Sequence, residues 1–290
     1  MESYIVLYNP YSCSNSGKEK AEKLRTVLKK ANLEFVDVTK IDDCQKYIDS
    51  LDKKIKIIIC GGDGTLNHFI NSVDTDKMVN DVYCYSAGSG NDFLRDIGKR
   101  KSKKPVLITK YLKNLPVATV KGKKYKFLNN ISFGIDGYCC QVADEIRKKS
   151  DKPVNYSMIA IKGLLGGYSP KNATVVVDGG EEMHFKKAWL APTLNGRYIG
   201  GGLKIGPTQD RLNLDHTVTL VVMYNLNRLK CMLNFPRLIV GKYDGLEDII
   251  KDFKGHKISV TFDEPAAVQI DGETILDVLH YDVETAGVNE

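Results

Sequence analysis

Residues 55–71 read IKIIICGGDGTLNHFIN, and the succession of apolar run, glycine loop and helix start in that stretch sets the fold class. Residues 55–60 are nearly all apolar, as expected of a strand covered on both faces by helices in a parallel α/β sheet. Gly61, Gly62 and Gly64 end the run. Without Cβ atoms they let the backbone take positive φ and come against a ligand. Thr65 suits the N-cap of a helix carrying Leu66, Phe69 and Ile70, and the free N–H groups of such a helix start favour a phosphate.

The pattern recurs downstream. Residues 82–85 read as a strand, SAGSG at 86–90 as a turn, and 91–96 as the opening of another helix. Two such loops at the carboxyl ends of strands in one open sheet share a crevice, the usual ligand position in doubly wound folds. Upstream, YIVLY at 4–8 is a first strand, Asn9, Pro10 and Ser12 make a turn, and 18–31 is an amphipathic helix with Ala21, Leu24, Val27 and Leu28 on one face. Residues 34–38 form a second strand ending at Thr39, and a helix at 44–51 leads into the central run. This βαβαβ alternation predicts a parallel sheet with right-handed crossovers. Residues 105–115 read as a helix closed by Pro116.

From residue 117 short strands dominate, at 125–128, 131–133, 174–177, 185–190, 218–224, 257–262 and 268–270, with turns at Asp178-Gly179-Gly180 and Asp271-Gly272. Helices are expected at 139–149, 155–165 and 228–240. The expected fold class is an α/β N-terminal domain, residues 1–116, with a parallel, doubly wound sheet, followed by a β-rich, sandwich-like C-terminal domain, residues 117–290.

Composition narrows the class further. With 42% hydrophobic and 27% charged residues the chain is an ordinary globular one. Its 7 Cys include no CxxC pair, which argues against a zinc site or a disulfide framework and points to a reducing cytoplasm. A strand begins almost at the first residue and no apolar run approaches eighteen residues, so neither a signal peptide nor a membrane span is expected. The net charge of +6 is concentrated at Lys99, Arg100, Lys101, Lys103 and Lys104 and at Lys121, Lys123, Lys124 and Lys126. Such clusters are solvated surface or contacts for an anionic membrane; no recognition motif for nucleic acid accompanies them.

CGGDGT at 60–65 followed by SAGSGNDF at 86–93 resembles the catalytic domain of the diacylglycerol kinase and lipid kinase family. The first motif also occurs in NAD kinases and phosphofructokinases; the second is more typical of lipid kinases. NNISFGID at 129–136, the glycines 200–202 ahead of Pro207, and QIDGE at 269–273 extend the resemblance over nearly the whole chain. It implies an NAD kinase-like nucleotide domain, a second domain for lipid, and a magnesium-dependent transfer of phosphate from ATP to a lipid hydroxyl, as in phospholipid biosynthesis. The implied acceptor is diacylglycerol, met at a membrane surface. Implied partners are that lipid, an anionic membrane held peripherally and a second copy of the chain.

Phosphoryl transfer needs a phosphate cradle, a cation and a group that orients the incoming hydroxyl. Gly61, Gly62, Gly64, Thr65, Asn67, Ser89, Gly90 and Asn91 are cradle candidates, and no Walker lysine motif is present. The resemblance adds Asn9, Pro10, Ser12 and Thr39 beside the nucleotide, with Cys13 standing where a glycine usually follows. Asp63 either meets magnesium or binds the loop's own amides, and Asp92 is a helix cap or part of the same network. Glu273 follows a tight Asp-Gly turn, which alone suggests a surface hairpin; the resemblance makes it the proton acceptor. Asp215 matches one aspartate of a family turn that holds a structural magnesium, but Leu214 and His216 replace its neighbours. The rival readings are an NAD kinase and a nucleotide- and membrane-binding module without turnover.

Overall fold

The computed structural model describes residues 1–86, 91–149 and 154–287. They form two compact units, Met1–Asn114 and Leu115–Glu290.

The first unit runs β1 Ser3–Tyr8, α1 Ser12–Asn15, α2 Gly17–Glu22, α3 Leu24–Val27, β2 Asn32–Asp37, α4 Cys44–Asp49, β3 Lys56–Gly61, α5 Asp63–Ser72, β4 Val82–Ser86, α6 Asp92–Asp96 and β5 Val106–Leu107. Its sheet has the order β2-β1-β3-β4-β5, with the first four strands parallel and β5 antiparallel. Because β2 lies on one side of β1 and β3 on the other, the order reverses between β1 and β3, where ligands bind in such sheets. Register brings the strand ends level: Tyr8 pairs with Asp37 and with Cys60, and Gly61 pairs with Ser86. Val6, Leu7 and Ile57 to Ile59 are buried, as an apolar run covered on both faces requires.

Two expectations for this unit need correction. The helix expected at 18–31 is two short pieces, α2 and α3, and Thr26 Oγ1 donates to the Lys23 carbonyl at 2.7 Å, a local bond that competes with helix continuation. The helix expected at 105–115 is instead β5 and a single 3₁₀ turn, Thr109–Leu112. Pairing wins over propensity there, because Ile108 N–H donates to Val82 O at 2.8 Å and Val82 N–H to Thr109 Oγ1 at 2.9 Å.

The second unit runs β6 Val117–Val120, β7 Lys123–Lys126, β8 Asn130–Gly134, α7 Ile135–Lys149, α8 Tyr156–Lys162, a π-turn Gly163–Gly167, β9 Lys171–Val177, β10 Met183–Ala188, β11 Leu190–Leu194, β12 Val218–Met223, α9 Arg228–Leu238, β13 Ile250–Gly255, β14 Lys257–Ile270 and β15 Glu273–Glu284. These strands join in the order β13-β12-β11-β8-β14-β15-β6-β7, with β9 added on β14 and β10 on β9. Every one of their pairings is antiparallel. The core centres on Phe133, stacked on Phe262 at 4.4 Å and tilted against Tyr281 at 5.3 Å.

The segments expected at 257–262 and 268–270 are one long strand, β14. Its first half pairs with β9 and its last residues with β8, the change being absorbed by register shifts between Thr261 and Val268. The strand expected at 185–190 is two, β10 and β11: β10 is irregular between Phe185 and Ala188, where Lys187 takes φ 52°, and it ends before the buried Trp189, which donates its indole N–H to Leu226 O at 2.8 Å. Strands β13 and β15 had no clear signal, since charged residues interrupt their alternation, and β6, Val117–Val120, is only four residues long.

Helix α7 starts at Ile135, four residues before the expected 139, because the backbone turns at Gly134, φ +107°. Gly137 lets the helix lie on β14: a Cβ there would stand 2.0 Å from Ala267 O. Gly137→Ala, a change that normally favours a helix by about 1 kcal/mol, is expected instead to destabilise the protein by about 2 kcal/mol or more. Denaturant titration of the variant checks this; a gain in stability would contradict the packing described.

Candidate functional site

In the first unit the chain leaves β3 through Gly61 and Gly62 and enters α5 at Asp63, with Gly62 as an extended N-cap. A Cβ on Gly61 would lie 2.2 Å from Thr65 Oγ1, so only glycine lets the threonine fold back over the strand end. Asp63 does not point away from the protein. Its Oδ2 accepts the Asp92 N–H at 2.8 Å and its Oδ1 the Phe93 N–H at 3.4 Å, which ties the first glycine loop to the start of α6. Asn91 sits before α6 in a left-handed conformation, φ 48°, and donates to Ser86 Oγ at 2.7 Å, closing the second loop. Asp92 and Asn67 are buried. Ser89 and Gly90 lie outside the described residues.

Off the adjacent strand end, Asn9 builds its own turn. Its Oδ1 accepts the Tyr11 N–H at 2.9 Å, its carbonyl accepts Ser12 Oγ at 2.8 Å, and Pro10 O accepts Gly17 N–H at 3.4 Å. The close-approach glycine here is Gly17, where a Cβ would stand 1.9 Å from Asn9 O; the side chain of Cys13 is outside the described residues. Thr39 is exposed, and its N–H and hydroxyl both donate to Asp37 Oδ1, at 3.0 and 2.7 Å, which is a turn-capping arrangement. A cleft of ≈ 400 Å³ between these elements is lined by Leu7, Val38, Ile41, Ile59, Thr65 and Phe69 among others.

In the second unit, Asp271 and Gly272 take φ 47° and 93° and join β14 to β15. The turn is anchored by the Asp271 carboxylate, which accepts the N–H groups of Leu128, Asn129 and Asn130 at 2.6, 2.7 and 3.1 Å. Glu273 follows it, exposed, as the first residue of β15. The buried Gln269 completes the arrangement: its Oε1 accepts the Gly272 N–H at 2.7 Å, while its Nε2 donates to Asn130 Oδ1 and, at 2.7 Å, to Asp136 Oδ2.

Asp136 and Gln269 were not singled out from the sequence, although both belong to quoted motifs, NNISFGID and QIDGE. A hydrophilic side chain within an otherwise apolar segment was the available signal. Asp136 keeps one side open to a cavity and is crowded by protein elsewhere; this burial pushes its carboxyl up to about 6, against the opposing effect of hydrogen bonds from Gln269 and Ser132. The cavity is a narrow slot of ≈ 80 Å³. Ile135, Leu164, Leu190, Val221, Phe235 and Ile250 are among its walls. Burial also pushes the nearby thiols up, Cys139 to about 12 and Cys231 to about 11, so they stay protonated and are poor nucleophiles.

Metal donors are sparse. Among the described residues no group of three or more His, Cys, Asp and Glu side chains could hold an ion. Asp215 is exposed, and its loop is closed by Asn213, which donates to Asp210 O at 2.6 Å and Thr217 O at 2.9 Å and accepts from Thr217 N–H at 2.8 Å. That donor set does not fit a resident cation. For the magnesium that accompanies a nucleotide, a single carboxylate such as Asp63 suffices, since phosphate and water oxygens complete the shell. No helix among the described residues is long and apolar enough to cross a membrane.

Strand-end glycine loops on a parallel sheet, followed by an antiparallel unit with a clamped hairpin, agree with the two-domain kinase plan that the motifs imply. Residues 3–120 match the Diacylglycerol kinase catalytic domain and residues 129–280 the YegS C-terminal NAD kinase beta sandwich-like domain, and the chain belongs to that family. It is 24% identical over 233 residues to "Putative lipid kinase YtlR" of Bacillus subtilis (strain 168), covering 75% of this chain and 74% of that protein. It is 23% identical over 230 residues to a "Putative lipid kinase" of Staphylococcus aureus (strain Newman), covering 76% and 71%. Among solved structures, "A putative diacylglycerol kinase from Bacillus anthracis str. Sterne" shares the fold with a TM-score of 0.67 at 20% identity, over 98% of this chain and 94% of that one. Membership of this kinase family implies a phosphotransferase, with ATP as the implied donor.

The Asp136 carboxyl makes a measurable link between pH and stability. A carboxyl with a raised pKa favours the folded state while protonated, below its unfolded value of 3.8, and loses that advantage as pH rises through about 6. Asp136→Asn keeps an acceptor for Gln269 but cannot ionise. Relative to this variant, the wild type is expected to lose about 1–3 kcal/mol of stability between ~pH 4 and ~pH 7, read from denaturation midpoints. A pH-independent difference would show that Asp136 titrates normally.

Proposed function

We propose that this chain transfers the γ-phosphoryl group of ATP to the hydroxyl of a lipid, with diacylglycerol as the expected acceptor and phosphatidic acid as product. The observation that carries this reading is the narrow apolar cavity in the second unit of a chain belonging to a kinase family. Its walls suit a hydrocarbon chain and offer few partners for the amides, hydroxyls and phosphates of a dinucleotide, which favours lipid over NAD as acceptor. The names of the relatives support the same substrate class.

In this reading the N–H groups at the start of α5 and the loops at the ends of β3 and β4 receive the nucleotide phosphates. The cleft beside Leu7, Val38 and Ile41 offers an apolar face to the base. Asp63 is the residue that would hold the magnesium of the bound nucleotide, an ion that would neutralise charge on the phosphates. Glu273 accepts the proton of the attacking hydroxyl. Its position depends on the Gly272 amide held by Gln269 and on the Asp271 clamp, so the base projects from a turn with little freedom. The work is done in the cytoplasm, at the surface of a membrane that supplies the acceptor.

Labelled γ-phosphate transfer to a panel of lipids in mixed micelles, with NAD as a separate acceptor, tests this. Glu273→Gln is expected to lower kcat by about 10²–10⁴-fold while leaving nucleotide affinity in place. Near-normal turnover in the variant would remove Glu273 from the role. Labelling of NAD rather than lipid would overturn the substrate class, and nucleotide binding without any labelled product would leave a binding module.

A further inference from the structure

Helices α8 and α9 turn one side inward and the other to solvent, and the solvent side is apolar. Ala160 and Leu164 on one element, and Cys231, Phe235 and Ile239 on the other, line the cavity. Between them and offset around each axis, Met158, Ile161 and Leu165, and Leu229, Met232 and Leu233, are exposed; Leu165, Leu229 and Leu233 are open by 64%, 66% and 70%. Leu229, Met232 and Leu233 stand at i, i+3 and i+4, and Met158, Ile161 and Leu165 at i, i+3 and i+7, the last in the π-turn that continues α8, so each set is a stripe rather than scattered residues. Arg228 fastens the two elements together, donating to the carbonyls of Gly163, Leu164 and Tyr168 at 3.3, 3.0 and 2.9 Å.

The charge around these stripes has one sign. Residues 154–177 and 216–243 contain no Asp or Glu, although the chain has 36 of them. Lys162, Lys230, Arg237 and Lys242 are exposed in the same stretches. Apolar stripes flanked by basic side chains, with acids excluded, match an anionic lipid interface, where leucines enter the acyl boundary and lysines stay among the headgroups. A second copy of the chain is a poorer match, since a two-fold contact would set basic residues against themselves. The cluster at 99–104, by contrast, is basic and exposed without an apolar stripe of its own.

We infer that the outer faces of α8 and α9 form a membrane-docking surface for a bilayer rich in anionic lipid. The docking surface and the cavity are built by the same two helices, so an acyl chain leaving the bilayer reaches the slot without crossing water. The choice of a lipid surface rests on the lipid kinase reading, whereas the surface itself is defined by exposure and charge.

The test is flotation of the full chain, without nucleotide, on vesicles of phosphatidylcholine and phosphatidylglycerol in equal parts. Leu165→Glu/Leu233→Glu changes two exposed side chains that do not line the cavity. It is expected to lower partitioning by about 100-fold or more, from the loss of two inserted leucines, with an unchanged thermal midpoint. Lys99→Ala/Lys101→Ala is expected to stay within about threefold of wild type, as loss of two peripheral charges in salt allows. In the kinase assay the leucine variant should keep its rate on a short-chain lipid dissolved as monomers and lose it on vesicle-embedded lipid. A leucine variant that floats like wild type overturns the inference. So does a wild-type chain that never floats, or a wild-type dimer that the variant turns into monomers without change in flotation. A chain that floats in this way yet phosphorylates nothing disproves the kinase reading and leaves the docking surface standing.

Discussion

Both units rely on one device, a carboxylate that collects backbone amides from a distant stretch of chain. In the second unit Asp271 takes three successive N–H groups, those of Leu128, Asn129 and Asn130. Each charge-assisted bond of this kind contributes about 1.5–3 kcal/mol, and removal of the acceptor would leave several buried donors unsatisfied. The hairpin at 270–273 and the start of β8 are thereby fixed to one another, and Gln269 adds the entry to α7 through Asp136. In the first unit Asp63 does the same on a smaller scale, with the amides of Asp92 and Phe93. A half-buried negative charge is costly when nothing balances it, and these amides offset part of that cost.

These clamps explain why the motifs look as they do. In CGGDGT the aspartate is as much a structural ligand for the second loop as a chemical group, and Gly61 is small because Thr65 folds onto it. In QIDGE the isoleucine is core, the glutamine and aspartate hold the turn, and only the glutamate is free to reach a substrate. On the proposed function, the rigidity that in-line transfer needs comes from neighbours in sequence that do not themselves touch the reacting atoms.

How much could be read beforehand depended on whether the signal was local. The parallel sheet of the first unit followed from apolar runs and glycine loops, because two-sided burial leaves its mark on every residue of β1 and β3. Glu273 and the loop glycines were visible for the same reason: a turn and its motif are contiguous. Asp136, Gln269 and the cavity were not, since their meaning arises from pairing Ile131 to Phe133 with Val268 to Ile270, far along the chain, as in Ile131 with Ile270 and Phe133 with Val268. Strands β13 and β15 escaped because Lys, Asp and Glu occupy solvent-facing positions, and the 105–115 segment misled because its edge pairing with β4 has no counterpart in propensity.

The two-faced role of β14 has a further consequence, for the order of events during synthesis. Its first half completes the contact with β9 and its last residues complete β8, which cannot be paired on that edge until the chain has been made as far as residue 270. Until then Phe133 lacks Phe262 and Tyr281 above it, and an apolar strand edge stands uncovered. Contacts of such long sequence separation form slowly, so the nascent second unit passes through a sticky interval in which chaperone capture competes with aggregation. The first unit, whose parallel strands all lie within its first 86 residues, is complete well before that interval begins.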